Sequence, residues 1–159
     1  MTVDPEDFRN ALRRFATGIT VVTVEYEGEL HGMTASSFAS VSLDPPLVLV
    51  CLDKTSRTRG LILEKGTLAV NVLSARDEEV SRSFSRRGLK PFATLDHEQG
   101  DTGNPLLGSA IAWIECRLVQ MVEAGDHDIF IGEVIACEAR PGDPLLYYDQ
   151  TYRSLKDLS

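Results

Sequence analysis

Three short stretches carry residue types that could do chemistry: Thr34-Ala35-Ser36-Ser37, the turn CLDKTSRTR at residues 51–59, and AGDHDIF at residues 124–130. Small side chains let a ligand approach the backbone. The hydroxyls of Thr34, Ser36 and Ser37, with exposed N–H and C=O groups, could then match the edge of a polar heterocycle. The plain alternative is an edge strand with a solvated hydroxyl face. In the second stretch Lys54, Arg57 and Arg59 are interleaved with Thr55, Ser56 and Thr58, and a helix follows. Backbone N–H groups at a helix start, with Arg or Lys nearby, suit a phosphate. The alternative here is a solvated basic turn. Beside a heterocycle-sized groove the phosphate reading is favoured, and the two stretches together suit a cofactor with a flat head and a phosphate tail. In the third stretch His127 sits in a tight turn, where it either caps the turn or hydrogen-bonds a ligand.

Other chemistries find little support. His31, His97 and His127 are scattered, without the H-x-H or H-x-x-x-H spacing of a metal site. There is no G-x-S-x-G, and no Ser, His and acid group suggests a triad. Neither G-x-G-x-x-G nor G-x-x-x-x-G-K occurs, so a dinucleotide would not bind through a Rossmann turn. The net charge of −8 disfavours nucleic acid and makes the basic turn conspicuous. Cys51, Cys116 and Cys137 lie far apart in apolar stretches and read as buried free thiols of a reducing cytoplasm. Apolar runs are too short to cross a bilayer, and no basic-then-apolar leader opens the chain.

The elements that must position these residues are mostly strands. The 159 residues suit one domain with an ordinary core. VDPEDFRNALRRFATG reads as a helix capped by Asp4, with Phe8, Leu12 and Phe15 on one face and Gly18 ending it. ITVVTVEY, GMTASSFASVSL, PLVLVCL and TLAVNVL read as strands, with breaks at EGE and DPP. TSRTRGLILEKG reads as a short helix ending at Gly66. SARDEEVSRSFS reads as another, with Ser74 and Asp77 resembling a capping box and Val80 and Phe84 inward. Residues 86–108 lack periodicity and read as a functional or mobile loop. Two long strands follow. In the first, Ala112, Ile114, Cys116 and Leu118 alternate with Trp113, Glu115 and Arg117. In the second, Ile129, Ile131, Ile135 and Cys137 share a face. The tail PLLYYDQTYRSL is aromatic and basic enough to dock. Many strands with few helices predict an antiparallel barrel or sandwich.

FATGITVVTV, GMTASSFASVSLDPPLVLVCLDKTS, LAVNVL and GDHDIFIGEV occur together in this order. In this combination, over roughly residues 6–154, the chain resembles the short-chain flavin reductase family. The resemblance implies a mostly β fold, an antiparallel split β-barrel of the FMN-binding type with a few flanking helices, formed as a homodimer. It implies an NAD(P)H-dependent flavin reductase that uses FMN or FAD and supplies reduced flavin to a separate monooxygenase. Thr34, Ala35, Ser36 and Ser37 would meet the flavin ring edge and ribityl chain. Cys51, Leu52 and Asp53 would meet the ring through their backbones, with Ser56 and Arg57 near the phosphate. Ser83, Phe84, Ser85 and Arg86, with Phe92, would close over the flavin. His127 would hold the nicotinamide, flanked by Tyr148, Tyr152 and Arg153. NADH is the expected donor, because only Arg86, Arg87 and Lys90 could serve the 2′-phosphate of NADPH. No acid–base residue and no metal is implied, since the cofactors carry the hydride transfer. The competing readings are a non-enzymatic flavin carrier on the same barrel and a phosphate-pyridoxyl oxidase on a related one.

Overall fold

The computed structural model describes residues 2–158. The elements run in order α1 Pro5–Leu12, β1 Thr17–Gly18, β2 Thr20–Tyr26, β3 Glu29–Ala35, β4 Ala39–Leu43, β5 Pro46–Asp53, α2 Arg57–Lys65 and β6 Thr67–Val72. Then come α3 Glu78–Ser85, a 3-10 turn at Pro91–Ala93, β7 His97–Gln99, β8 Pro105–Leu107, β9 Ala112–Ala124, β10 His127–Ala139, β11 Leu146–Tyr148, β12 Thr151–Arg153 and a 3-10 turn at Leu155–Leu158. The fold is mostly β, as the sequence predicts.

The main sheet has the order β3-β2-β6-β9-β10-β5-β4 and is antiparallel throughout. Its strand ladder does not close: β3 and β4 remain the edges. The chain after β3 turns back, and Ser37 Oγ accepts from Cys51 N at 3.0 Å and donates to Cys51 O at 2.9 Å. Leu61 and Ile62 of α2 join Val22, Val24, Val50, Leu52, Val70 and Phe130 in the core on this side. The result is an open antiparallel barrel plugged by a helix. On the other face of the sheet Val21, Ala69, Leu73 and Trp113 pack with Phe84 of α3 and with Phe92, Leu106 and Leu107. The central strands are thus covered on both faces, which is why TVVTV at 20–24 is buried without alternation.

Several local expectations need correction. The first helix stops at Leu12, not at Gly18, and its Phe8 and Leu12, with Phe15 beyond it, are exposed. The chain leaves the helix because Thr17 and Gly18 pair with Tyr147 and Leu146, a contact too distant in sequence for periodicity to reveal. GMTASSFASVSL is two strands, broken at Ser36–Phe38. The cap of α3 is Asp77, and its carboxylate accepts from Ser74 N and Oγ instead of capping the helix. Residues 91–107 form a docked arm. Asn71 Oδ1 accepts from Leu107 N at 2.8 Å, Thr23 Oγ1 donates to Pro105 O at 2.6 Å, and Asn104 Oδ1 accepts from Glu25 N at 3.0 Å. These bonds satisfy buried polar groups that would otherwise destabilise the fold.

Burial along β9 and β10 follows the docked arm and not apolarity alone. Trp113 and Glu115 are buried beneath the arm, whereas Ile135 and Cys137 are exposed and Ile129 and Ile131 half-buried. Cys51 is half-buried, and only Cys116 of the three cysteines is fully so, its thiol pushed up to about 12 by burial.

Candidate functional site

Gly32 lets the site form. A Cβ there would lie 2.9 Å from Val22 O and 3.0 Å from the Phe84 ring, so only glycine lets Phe84 seat α3 on β3. Thr34 Oγ1 then donates to Ser81 O at 2.6 Å and ties the end of β3 to the same helix. Past α3 the chain bends through Ser85–Gly88, and Lys90 Nζ turns back to donate to Phe84 O at 3.2 Å and to Arg86 O. A lysine on the last carbonyls of a helix offsets the negative end of its dipole.

Between this loop and the entry to α2 lies a groove of about 430 Å³. Its floor includes His31, Met33 and Thr34, one wall Asp53, Thr55, Ser56, Arg57 and Thr58, and the other Phe84, Ser85, Arg86, Arg87, Gly88 and Lys90. A smaller groove of about 180 Å³ adjoins it, lined by Ile19, Thr34, Ser36, Ser85, Tyr147 and Tyr152. Thr34 and Ser85 line both.

The start of α2 is a side-chain-capped helix end with three cations in the turn beside it. Ser56 caps the helix, accepting from Arg59 N at 3.5 Å, and its hydroxyl donates to Met33 Sδ at 3.1 Å. Asp53 shapes the turn by accepting from Thr55 N and Oγ1 at 2.7 and 2.6 Å, and these bonds hold its carboxyl below the usual range. The three cations of the turn face different ways. Arg57 lines the groove and forms a two-bond ion pair with Glu29, at 2.6 and 3.1 Å. Arg59 and Lys54 turn to Asp128, at 2.5 and 3.8 Å, and Asp128 is fully buried. On the groove floor His31 Nδ1 lies 2.8 Å from the Thr58 hydroxyl. Burial first, then Lys90, pushes the His31 pKa below 6.5, so its imidazole is neutral at pH 7.

The expected site residues separate into groups. Thr34, Asp53, Ser56, Arg57, Phe84, Ser85 and Arg86 line the main groove, and Ser36 and Tyr152 the smaller one. Ala35 and Leu52 point into the core, and Cys51 has its N–H and C=O engaged by Ser37. Ser83 Oγ donates to Glu79 at 3.5 Å, while Phe92 is buried edge-on against Phe84. Tyr148 contacts Arg14 on the far side of its strand, and Arg153 is exposed. His127 opens β10 directly across from Asp53, and its Nδ1–H donates to Asp126 at 2.7 Å. That bond holds the Asp126 carboxyl below its ordinary value and leaves Nε2 of His127 open to a ligand. His127 lines neither of these two grooves, whereas Tyr152 lines the smaller one. Sequence reasoning missed His31, Met33 and Tyr147, and named Lys90, which lines the main groove, only for the 2′-phosphate of NADPH. Period-two alternation would have placed Tyr147, not Tyr148, opposite Tyr152, where the rings meet at 5.3 Å.

Residues 12–156 match the family described as Flavin reductase like domain. The chain is 46% identical over 140 residues to the FMN reductase (NADH) SmoA of Agrobacterium fabrum, covering 88% of this chain and 80% of that protein. It is 35% identical over 157 residues to the flavin-dependent monooxygenase reductase subunit HsaB of Mycobacterium tuberculosis, covering 97% and 84%. Of a probable flavin reductase of Rhizobium meliloti, 47% identical over 136 residues, the chain spans 44% of the length. Among solved structures, the NADH:FAD oxidoreductase SgcE6 of Streptomyces globisporus superposes with a TM-score of 0.89 at 41% identity, over 96% of this chain and 96% of that one.

Proposed function

The chain belongs to the flavin reductase-like domain family, and we propose that it is a single-domain NADH-dependent flavin reductase that takes FMN or FAD. The observation that carries this is the main groove, which ends at the capped start of α2 beside Arg57 and opens at Thr34 and Ser85 into a second, aromatic-walled groove. A flat ring with a phosphate tail fits the first groove: apolar Met33 and Phe84 for the ring, helix N–H groups and Arg57 for the phosphate.

The cofactors supply the chemistry, a hydride passed from the reduced nicotinamide to the flavin. The chain positions them. Phe84, seated by Gly32, and the Ser85–Lys90 loop form the wall that excludes water. Neutral His31 adds no charge beneath the ring. His127, oriented by Asp126, is proposed to hold the nicotinamide from the Asp53 side, and Tyr152, held by Ser81 Oγ at 2.8 Å, borders the other end. Ser36 carries no side-chain hydrogen bond among the described residues and remains available to a ligand.

Assembly and partners belong to the same proposal. Val41, Leu43, Val119, Val122 and Ile135 expose apolar surface on β4, β9 and β10, and Phe8, Leu12 and Phe15 expose more at the N-terminal end. A second copy of the chain would cover surface of this kind. A separate monooxygenase would receive the reduced flavin, as the name of the HsaB relative states for that protein. No helix of the described residues is long and apolar enough to cross a membrane. The free cysteines suit the reducing cytoplasm.

Steady-state turnover with the four pairs of FMN or FAD and NADH or NADPH tests the function. NADH oxidation that depends on added flavin is expected, with NADPH the poorer donor. Absence of turnover with all four pairs would overturn the proposal.

A further inference from the structure

Every cation of the basic turn is already paired with a carboxylate, and the pairs differ in how readily they can open. Arg59 and Lys54 serve Asp128, whose side chain is 0% exposed and whose Oδ1 has no hydrogen bond. Withdrawing either cation would leave a buried charge less compensated, which is strongly unfavourable. These two therefore stay with β10 when a ligand arrives. Arg57 is different. Its partner Glu29 stands at the start of β3, and the two side chains are 60% and 42% exposed. An ion pair this exposed is worth little and opens at small cost.

Resting on the reductase reading of this groove, we propose that Glu29 is an affinity-limiting residue. It competes with the flavin phosphate for Arg57, so flavin remains an exchangeable substrate instead of a resident group. Two observations support this. Arg57 is both a lining residue of the groove and the partner of Glu29, so one guanidinium serves two anions. The pairing is the two-bond, side-on kind that a phosphate also prefers, so the two anions cannot both have it. A reductase whose product must reach another protein gains from such a competitor, because the bonds that hold the phosphate are offset by the ion pair they displace. Glu29 acts through Arg57 and is a positioning residue.

The test is binding, read by quenching of flavin fluorescence, with FMN and riboflavin as the two probes. They share the ring and differ in the phosphate. Glu29→Gln removes the competitor at an exposed site and is expected to lower the Kd for FMN about threefold to fivefold, the size of an exposed ion pair. Riboflavin affinity is expected to stay as in the parent. In the Arg57→Gln background, Glu29→Gln is expected to have no effect on FMN. A Glu29 role confined to folding would move both probes together and would overturn the proposal. So would unchanged or weaker FMN binding by Glu29→Gln, or an undiminished effect without Arg57. A parent chain that oxidises NADH with flavin while showing any of these results refutes the Glu29 role alone. A parent that binds no flavin refutes the reductase reading itself.

Discussion

Replacing Gly32 with valine is expected to lower the melting temperature by roughly 10 °C and to weaken FMN binding by about tenfold. The cause is steric. Even a lone Cβ would stand 2.9 Å from a backbone oxygen and 3.0–3.2 Å from two atoms of the Phe84 ring. The backbone atom belongs to the central strand β2, so Phe84 must yield. Phe84 is 1% exposed and packs at 5.3 Å against Phe92, so there is no empty space for it to enter. Overpacking of this kind costs about 3 kcal/mol. The loss does not stay in the core, because Phe84 also forms the groove wall and its carbonyl takes the Lys90 bond. Gly32→Ala is expected to fall between parent and valine on both measures. Thermal melts with and without FMN check this. A valine variant that melts with the parent and binds FMN equally would show that α3 is not seated by this contact.

Replacing His127 with alanine is expected to raise the KM for NADH about tenfold, the worth of one lost ligand hydrogen bond, and to leave FMN affinity unchanged. His127 stands across the strand from Asp53 but lines neither groove, so it can reach a second ligand laid over the first without touching the first. Its Nδ1 is committed to Asp126, which fixes which nitrogen faces the ligand. The turn itself is tied by Lys54 N to Asp126 O at 3.1 Å and does not depend on the imidazole, so the variant should fold. Equal KM values in variant and parent would remove His127 from the nicotinamide site.

What the sequence makes legible follows the range of the interactions. The helix α2 could be read because both its signals are local: Ser56 at the cap and Gly66 at φ 79° at its end. The β2–β3 hairpin could be read for the same reason, since Glu27 and Gly28 both take the positive φ that such a turn needs. The end of α1 could not, because the pairing of Thr17 with Tyr147 ends it. Nor could the covering of Trp113 and Glu115, which depends on where the arm docks. Several of the residues singled out by type line one of the two grooves, while others are engaged elsewhere. Two hydroxyls of the Thr34–Ser37 run tie strands and helix together, Thr34 to Ser81 and Ser37 to Cys51. The basic turn drew attention by its charge, its hydroxyls and the helix after it, but only the structure shows that two of its cations pair with the buried Asp128. His31 escaped notice because a lone histidine in a strand gives no sign of what α2 will bring beside it.

The most direct test mixes the protein anaerobically with NADH and an equal amount of FMN, and repeats the run with FAD. Without oxygen, reduced flavin cannot be reoxidised, so nicotinamide and flavin absorbance report the two halves of one reaction. The expected result is that both decline together, one flavin for each NADH, at a rate proportional to protein. Flavin that is bound, as fluorescence shows, while both absorbances stay at the protein-free rate would contradict it. That outcome would describe a flavin carrier, not a reductase.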